Sequence, residues 1–164
     1  LKGCIQTQYH IGNLDGVNGY FSKKLLYLIY KKNINFFLEV HKLRKLNLGG
    51  VYGLEMFNVL ANSFITFNIH GDSVGDFAGN MRLFEATGVG TCLLTDWKSD
   101  LSLIFDPDNE VVTYKSVSEA KSKLTELKNN PSLRNKIAIA GQNRTLKDHS
   151  YEKRVIEFKD LILN

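Results

Sequence analysis

Short apolar segments alternate with helical segments along this chain, and this alternation constrains the fold more than any other feature. Several of the apolar segments are hydrophobic on both faces, which is typical of strands in a sheet that is covered on both sides. The predicted strands are residues 3–7, 34–40, 64–70, 91–95 and 110–114. The sequence therefore predicts an α/β fold, with a mostly parallel sheet sandwiched between two layers of helices.

Helical periodicity and capping residues mark the segments between these strands. Helices are predicted at residues 22–30, 53–61 and 81–87, with a helical turn at 101–105. From residue 118 the pattern is helical to the end, with breaks predicted around residues 129–131 and near Gly141 and His149. Ligands bind beyond the carboxyl ends of the strands in such sheets. A site is therefore expected among the loops at residues 6–19, 70–80 and 96–100.

Size, charge and cysteine content narrow the classes of function. The 164 residues suit a single domain, residues 1–164, and the net charge of +4 is thinly spread. No aromatic residues interleave with the densest basic stretch, residues 41–45, so nucleic-acid binding is not predicted. No apolar run approaches the ~20 residues that a transmembrane helix needs. Cys4 and Cys92 are far apart, and Cys92 is predicted to be a buried thiol in a reducing, cytoplasmic setting.

The segment that follows the strand at residues 64–70 has the features of a phosphate-binding loop. Its glycines, Gly71 and Gly79 among them, allow the backbone to approach a ligand closely. Asn80 is predicted to cap the short helix that follows, and Gly88 to be its C′ residue. The free N–H groups at the start of that helix, beginning with Met81, suit the oxygens of a phosphate.

Two side chains of this helix have two interpretations. The guanidinium of Arg82 suits phosphate oxygens, and Glu85, one turn later, suits the hydroxyls of a ribose. The same two residues also have the spacing of an i,i+3 ion pair on an exposed face, which is a common and weak interaction. The spacing alone does not decide between them. His70 ends the preceding strand, where it could donate to a phosphate or the transferred sugar, or be satisfied by neighbouring backbone.

A larger pattern resembles a known family. The central motif NMRLFEATGVGT at residues 80–91, followed by LLTD at 93–96, is similar to the C-terminal domain of GT-B glycosyltransferases of the CgeB-like, spore-maturation protein type. The similarity extends, in order, over VYGLEM at 51–56, NIH at 68–70, LIF at 103–105, EVVTY at 110–114, IAIAG at 137–141, and His149, Tyr151 and Arg154. It covers residues from about 51 to about 154, and it is weak before residue 51.

The resemblance implies a Rossmann-like domain that binds a nucleoside diphosphate sugar as donor substrate, with no tightly bound cofactor. The donor nucleotide site would comprise His70, Gly71, Gly79, Asn80, Met81, Arg82 and Glu85. Glu85 falls on the second acid of the Glu-x7-Glu pattern of retaining GT-B enzymes, the one that binds the ribose. The first acid falls on Phe77, and Asp76 beside it is the candidate contact for the donor sugar. No catalytic residue is assigned.

The resemblance also implies partners. A separate N-terminal domain would bind the acceptor, which would be a glycan, a lipid or a protein. Because the chain does not begin with Met, we expect it to be the C-terminal half of a longer protein, inactive as a transferase by itself. A cytoplasmic location is expected, with peripheral association at the inner membrane face decided by the other domain. Lys23 and Lys24 are candidate replacements for the basic residue that related enzymes carry in the first loop, although the interpretation of both as solvated surface lysines is favoured.

Other candidate sites are less favoured. His10 and His41 lack partners at metal-ligand spacing, so no metal site is predicted. Four acids, Asp72, Asp76, Asp96 and Asp100, surround one end of the sheet, but GT-B enzymes generally compensate the leaving diphosphate with helix dipoles and basic side chains. His149 is interpreted as structural. The alternative function is a non-catalytic nucleotide-binding or protein-interaction module on the same fold, since fold alone does not fix function.

Overall fold

The computed structural model describes residues 50–71 and 75–163, nearly all of them within one compact unit, Leu54–Asn164. The predicted strands at residues 3–7 and 34–40, the helix at 22–30 and the loop at 6–19 lie outside the described residues. The elements in chain order are α1 (Gly53–Ala61), β1 (Ile65–Asn68), α2 (Arg82–Gly88), β2 (Cys92–Asp96), a 3-10 turn (Leu101–Leu103), β3 (Val112–Tyr114), α3 (Val117–Asn129), α4 (Pro131–Asp148) and α5 (Tyr151–Leu163).

The described strands form one parallel sheet in the order β1-β2-β3. Asn68 pairs with Thr95 across β1 and β2, and Asp96 pairs with Tyr114 across β2 and β3. Because the strands are parallel, their carboxyl ends meet at one edge of the sheet. The predicted α/β class with a parallel sheet is thereby confirmed.

Hydrophobic cores lie on both faces of the sheet. Successive residues of β2 point to opposite faces, and the packing follows this alternation. Leu93 packs in one cluster with Leu60 of α1, Leu83 and Ala86 of α2, and Leu101, Phe105 and Val111. Cys92 and Leu94 pack in the other cluster with Val112, Tyr114, Ala120 and Leu127 of α3, and Ile137 of α4. Two helix layers therefore cover the sheet, as the sequence predicts for a three-layer sandwich.

Capping residues set the boundaries of the C-terminal helices. The Ser116 side chain accepts a hydrogen bond from the Glu119 backbone N–H, and the Glu119 carboxylate accepts one from the Lys115 N–H. Asn130 caps α4 in the same way, accepting from the Leu133 N–H, and Pro131 occupies the first turn, where no N–H is needed. The predicted breaks around residues 129–131 and near His149 are confirmed.

The predicted break at Gly141 is wrong, because α4 continues through this residue. Gly141 is buried, and a Cβ atom built on it would lie 2.3 Å from the backbone oxygen of Glu110. The glycine therefore lets the helix approach the chain that leads into β3, and it does not end the helix. A glycine inside a helical pattern can thus have a packing role and need not mark a terminus.

Candidate functional site

The carboxyl edge of the sheet carries a connected set of buried polar side chains. The Asn68 amide donates to Thr95 Oγ1 at 3.0 Å and accepts from the Asn80 amide at 3.0 Å. The Tyr114 hydroxyl donates to the Asn68 carbonyl at 2.9 Å. Burial, with a smaller contribution from the charge of Asp96, raises the pKa of Tyr114 to about 12, so its hydroxyl keeps its proton and remains a donor. These bonds join the ends of all three described strands.

His70 and Asp96 meet at this edge. The backbone N–H of His70 donates to Asp96 Oδ1 at 2.9 Å, and His70 Nδ1 contacts the same oxygen at 2.7 Å. The Lys98 ammonium lies 3.5 Å from the other oxygen, Oδ2. Burial raises the pKa of Asp96, but the hydrogen bonds from His70 and the charges of His70 and Lys98 outweigh it, so that the pKa lies below its ordinary value. Asp96 is therefore a carboxylate at neutral pH.

The second ring nitrogen of His70 is left without a partner. His70 is only 5% exposed, and among the residues that the structure describes no hydrogen-bond partner lies near Nε2. The side chain is thus not satisfied by neighbouring backbone, which was one of the two interpretations of this histidine. An unpaired buried polar atom costs on the order of 1–3 kcal/mol, and folded proteins contain few of them. The Nε2 of His70, which has no partner among the described residues, is therefore a candidate contact for a ligand.

The loop between β1 and α2 is attached to the loop that follows β2. Lys98 donates to the Gly75 carbonyl at 2.6 Å. The backbone N–H and the hydroxyl of Ser99 both donate to the Asp76 carbonyl, at 3.1 and 3.0 Å. The Asp100 carboxylate accepts from the Ala78 N–H at 2.7 Å. These bonds fix the backbone of residues 75–78 relative to the sheet edge.

The start of α2 differs from the predicted phosphate site. Asn80 caps the helix as predicted, since its Oδ1 accepts from the Arg82 N–H at 2.7 Å. The next N–H groups are also taken: Leu83 donates to the Asn80 carbonyl, and Phe84 and Glu85 to the Met81 carbonyl. The expectation of free N–H groups in the first turn is therefore wrong for these residues. The end of the helix differs as well, because Gly88 is helical and the positive φ, 82°, belongs to Gly90.

The unpaired backbone donors lie just before the helix. No hydrogen bond within the described ranges uses the N–H of Gly79, Asn80 or Met81. Gly79 and Met81 are exposed and Asn80 is half-buried. Three consecutive N–H groups in this loop, between the polar sheet edge and Arg82, form a set of donors that a phosphate can use.

Arg82 and Glu85 form the i,i+3 ion pair that was one interpretation of their spacing. The shortest N–O distance is 3.4 Å, and the side chains are 33% and 21% exposed. A pair of this kind contributes only about 0.2–0.5 kcal/mol. A ligand with phosphate and hydroxyl groups could therefore separate the two side chains at little cost, and the pair does not exclude the ligand-binding interpretation.

The position of the first acid in the Glu-x7-Glu pattern is occupied by an exposed aromatic side chain. Phe77 is 66% exposed, and Asp76 beside it is exposed too. The Asp76 backbone is fixed by Ser99, as described above. The contact of Asp76 with the donor sugar stays a prediction.

Sequence reasoning noted Asp96 only as one of several acids at the sheet edge. The sequence feature that could have identified Asp96 is its position as the last residue of a buried strand, which neighbours the strand that leads to His70. The contact between the two depends on the register of β1 against β2, which pairs Asn68 with Thr95. Lys98 and Asn68 were not assigned any role, because hydrogen bonds between loops leave no periodic pattern in the sequence.

His149 is structural in this arrangement. Its Nε2 contacts the Ile104 carbonyl at 2.9 Å and its Nδ1 contacts Arg154 at 2.7 Å. Its ring packs on Phe84 and Phe105, with centroid distances of 5.1 and 5.5 Å. Both ring nitrogens therefore have partners, in contrast to those of His70.

A cavity of about 600 Å³ lies between α4, α5 and the 3-10 turn, apart from the sheet edge. Two of its cations already have carboxylate partners, Arg144 with Asp148 at 2.8 Å and Arg154 with Glu157 at 2.6 Å. It is therefore not a strong candidate for an anionic ligand. Within the described part of the chain, no three potential metal ligands cluster, and no helix is long and apolar enough to cross a membrane.

The fold and the position of this site define the class of domain to which the chain belongs. A parallel sheet between helix layers, with ligand-type donors beyond the carboxyl ends of its strands, is the architecture of a Rossmann-like domain. The family model described as glycosyl transferase-like matches residues 23–160. The chain therefore belongs to the glycosyl transferase-like family, and its general role is in glycosyl transfer. No curated protein matches the chain significantly.

Proposed function

We propose that this chain is the donor-binding domain of a glycosyltransferase, which binds a nucleoside diphosphate sugar at the carboxyl edge of its sheet. The observation that carries the proposal is the run of N–H groups at Gly79, Asn80 and Met81, next to Arg82, which have no partner among the described residues. Hydrogen bonds from N–H groups and a guanidinium fork are the usual means of binding a diphosphate without a metal ion. The glycosyl transferase-like family supports the choice of a sugar nucleotide over other phosphate ligands.

Glu85 is proposed to accept the ribose hydroxyls. Its carboxylate lies on the same helix as Arg82 and is partly exposed. In the complex, Arg82 would turn towards the diphosphate and Glu85 towards the ribose, so that each exchanges its weak partner for a ligand group. Asp76 is proposed to contact the donor sugar, and His70 and Gly71 to contact the phosphates.

The chemistry assigned to these groups is electrostatic. As the bond between the sugar and the phosphate breaks, negative charge develops on the leaving diphosphate. Donors that are already oriented towards it stabilise the transition state more than the ground state. An acceptor glycan, lipid or protein would be bound by a separate domain, so little transferase activity is expected from this chain by itself. A CgeB-like specificity and a cytoplasmic setting, with peripheral attachment to the membrane face, are part of the same proposal.

One observation favours a second candidate, a non-catalytic nucleotide-binding module. The exposed Phe77 at the position of the first acid cannot bind the donor sugar as a carboxylate does. Such a module would bind the nucleoside diphosphate alone as tightly as its sugar conjugate.

Calorimetric titration with UDP, GDP, ADP and their sugar conjugates tests the proposal. Saturable binding to one nucleoside diphosphate is expected, weakened by Arg82→Ala and by Glu85→Ala. The matched controls are Arg154→Ala and Glu157→Ala, which break another i,i+3 ion pair on α5. These controls should bind as the wild type does.

The outcomes separate the candidates. Tighter binding of a sugar conjugate than of its parent diphosphate, lost in Asp76→Ala, favours the transferase donor site. Equal binding of both favours the non-catalytic module. If none of the nucleotides binds, or if the α2 and α5 variants weaken binding alike, the proposed site is refuted.

A further inference from the structure

We propose that Asp96 is a positioning residue, which holds the His70 ring so that Nε2 donates a hydrogen bond to the diphosphate of the donor. The inference rests on the proposed function and adds a residue to it. Asp96 itself would not touch the ligand. It would act through His70.

The geometry of the Asp96 carboxylate supports this role. One oxygen, Oδ1, accepts both from the backbone N–H of His70 and from Nδ1 of its ring, at 2.9 and 2.7 Å. Two bonds to one residue fix both the backbone and the side chain. Because a carboxylate only accepts, Nδ1 must carry the proton of that bond. Nε2 can then donate only from the doubly protonated ring, the form favoured by the negative charges of Asp96 on one side and of a bound diphosphate on the other.

The second carboxylate oxygen connects the pair to the proposed phosphate loop. Lys98 lies 3.5 Å from Oδ2 and donates to the Gly75 carbonyl at 2.6 Å. The same network places His70 beside the loop that carries the unpaired N–H groups. Asn68, two residues before His70, is hydrogen-bonded to Asn80 of that loop at 3.0 Å.

The orphaned nitrogen distinguishes His70 from its neighbours. Asn68, Asn80, Thr95 and Tyr114 all have hydrogen-bond partners at this edge. In the described part of the chain, Nε2 of His70 is a buried side-chain atom with none. A purely structural histidine would have both nitrogens paired, as His149 has. A phosphate oxygen supplies the missing acceptor.

Binding measurements on the full chain test the role of each residue, with UDP, GDP, ADP and inorganic pyrophosphate as probes. A hydrogen bond to a charged group contributes enough that His70→Ala should bind about 10- to 100-fold more weakly. His70→Gln should recover part of this loss, because its amide can donate from the same place. Asp96→Ala should bind as weakly as His70→Ala, whereas Asp96→Asn, which keeps an acceptor oxygen, should lose less.

A double-variant cycle tests whether Asp96 acts through His70. If it does, adding Asp96→Ala to His70→Ala should weaken binding no further. A further loss in the double variant would mean that Asp96 contributes independently, and the positioning role would be refuted. Unchanged folding, checked by circular dichroism, is required of each variant, and Asp96→Asn keeps the test decisive if Asp96→Ala does not fold.

Nitrogen NMR of the histidine rings gives a readout that a merely structural role would not change. In the wild type we expect a protonated Nδ1 at His70 and a shift of its Nε2 signal when the nucleotide binds. His149 is the internal control, because both its nitrogens are paired and should not respond. If a nucleotide binds and His70 Nε2 does not shift, or His70→Ala binds normally, this inference fails together with the proposed phosphate contact of His70, while the donor site at Gly79, Asn80, Met81, Arg82 and Glu85 stands. If no probe binds the wild type, both fail.

Discussion

Gly141→Ala should destabilise the protein, although alanine is the better helix former. In an exposed helix interior this substitution stabilises by about 1 kcal/mol. Here the new Cβ would lie 2.3 Å from the Glu110 carbonyl oxygen, and contacts under 3.0 Å are essentially never observed for real Cβ atoms. The obstacle is backbone, so no side-chain rotation can relieve it.

Two opposing effects set the expected change in the free energy of unfolding of Gly141→Ala. Overpacking a well-packed site costs about 1–3 kcal/mol, and the higher helix propensity of alanine returns up to about 1 kcal/mol. Because the obstacle is backbone, we expect the upper end of the overpacking cost and therefore a net loss of about 2 kcal/mol. The new methyl group would displace the backbone at Glu110. The Glu110 N–H donates to the Asp106 carbonyl at 2.8 Å, and the Glu110 carboxylate accepts from the Asp106 N–H at 2.7 Å. This turn leads directly into β3.

Urea unfolding followed by circular dichroism measures the loss. The matched control is Gly88→Ala, whose Cβ would make an ordinary 3.5 Å contact with the Thr145 methyl on the same helix, α4. It should be neutral or slightly stabilising. Equal or higher stability of Gly141→Ala would show that the close approach of α4 to Glu110 is not required, and would refute the reasoning.

Three further predictions concern stability and thiol chemistry. Because the pKa of Asp96 is lower in the folded state than its ordinary value of 3.8, its carboxylate stabilises the folded state at pH values above 3.8. This stabilisation is lost as the pH falls through the lower pKa of the folded state. Asp96→Asn should therefore be less stable than the wild type in urea at pH 7, with the difference vanishing in acid. Burial raises the pKa of Cys92 to about 11, so in a Cys4→Ser background a thiol reagent at pH 8 should react only after unfolding; fast native reaction would contradict this. Ser116→Ala should lower the unfolding free energy by about 1 kcal/mol through loss of the α3 cap, and an unchanged urea midpoint would exclude that role.

The sequence predicted local structure well where helical periodicity or the chemistry of a capping side chain determines it. The bounds of α1, residues 53–61, and the capping by Asn80 follow from periodicity and side-chain chemistry, and both are confirmed. Gly141 was misinterpreted because a helical glycine looks the same in sequence whether it ends a helix or lets one approach its neighbour. Only the packing of α4 against the Glu110 backbone distinguishes the two.

The candidate site was predictable in place but not in detail. Parallel strands require that their carboxyl ends meet, so the loops that carry His70 and Asp96 were expected at one edge. The contact between these two residues depends on strand register, which apolar strands do not encode along their length. The N–H groups at the start of α2 were expected to be free, but those of Leu83, Phe84 and Glu85 donate to the carbonyls of Asn80 and Met81.

The hydrogen bonds at the sheet edge divide its residues into those that hold the structure and those available to a ligand. Asn68 accepts from Tyr114 and Asn80 and donates to Thr95. Its removal would orphan several buried groups, so it should cost mainly stability. His70 Nε2 has no such partner among the described residues, and a change confined to that nitrogen costs the folded state little. Under the proposed function a ligand supplies the hydrogen bond that this atom lacks among the described residues, and His70 is therefore the residue at this edge where stability and binding should separate.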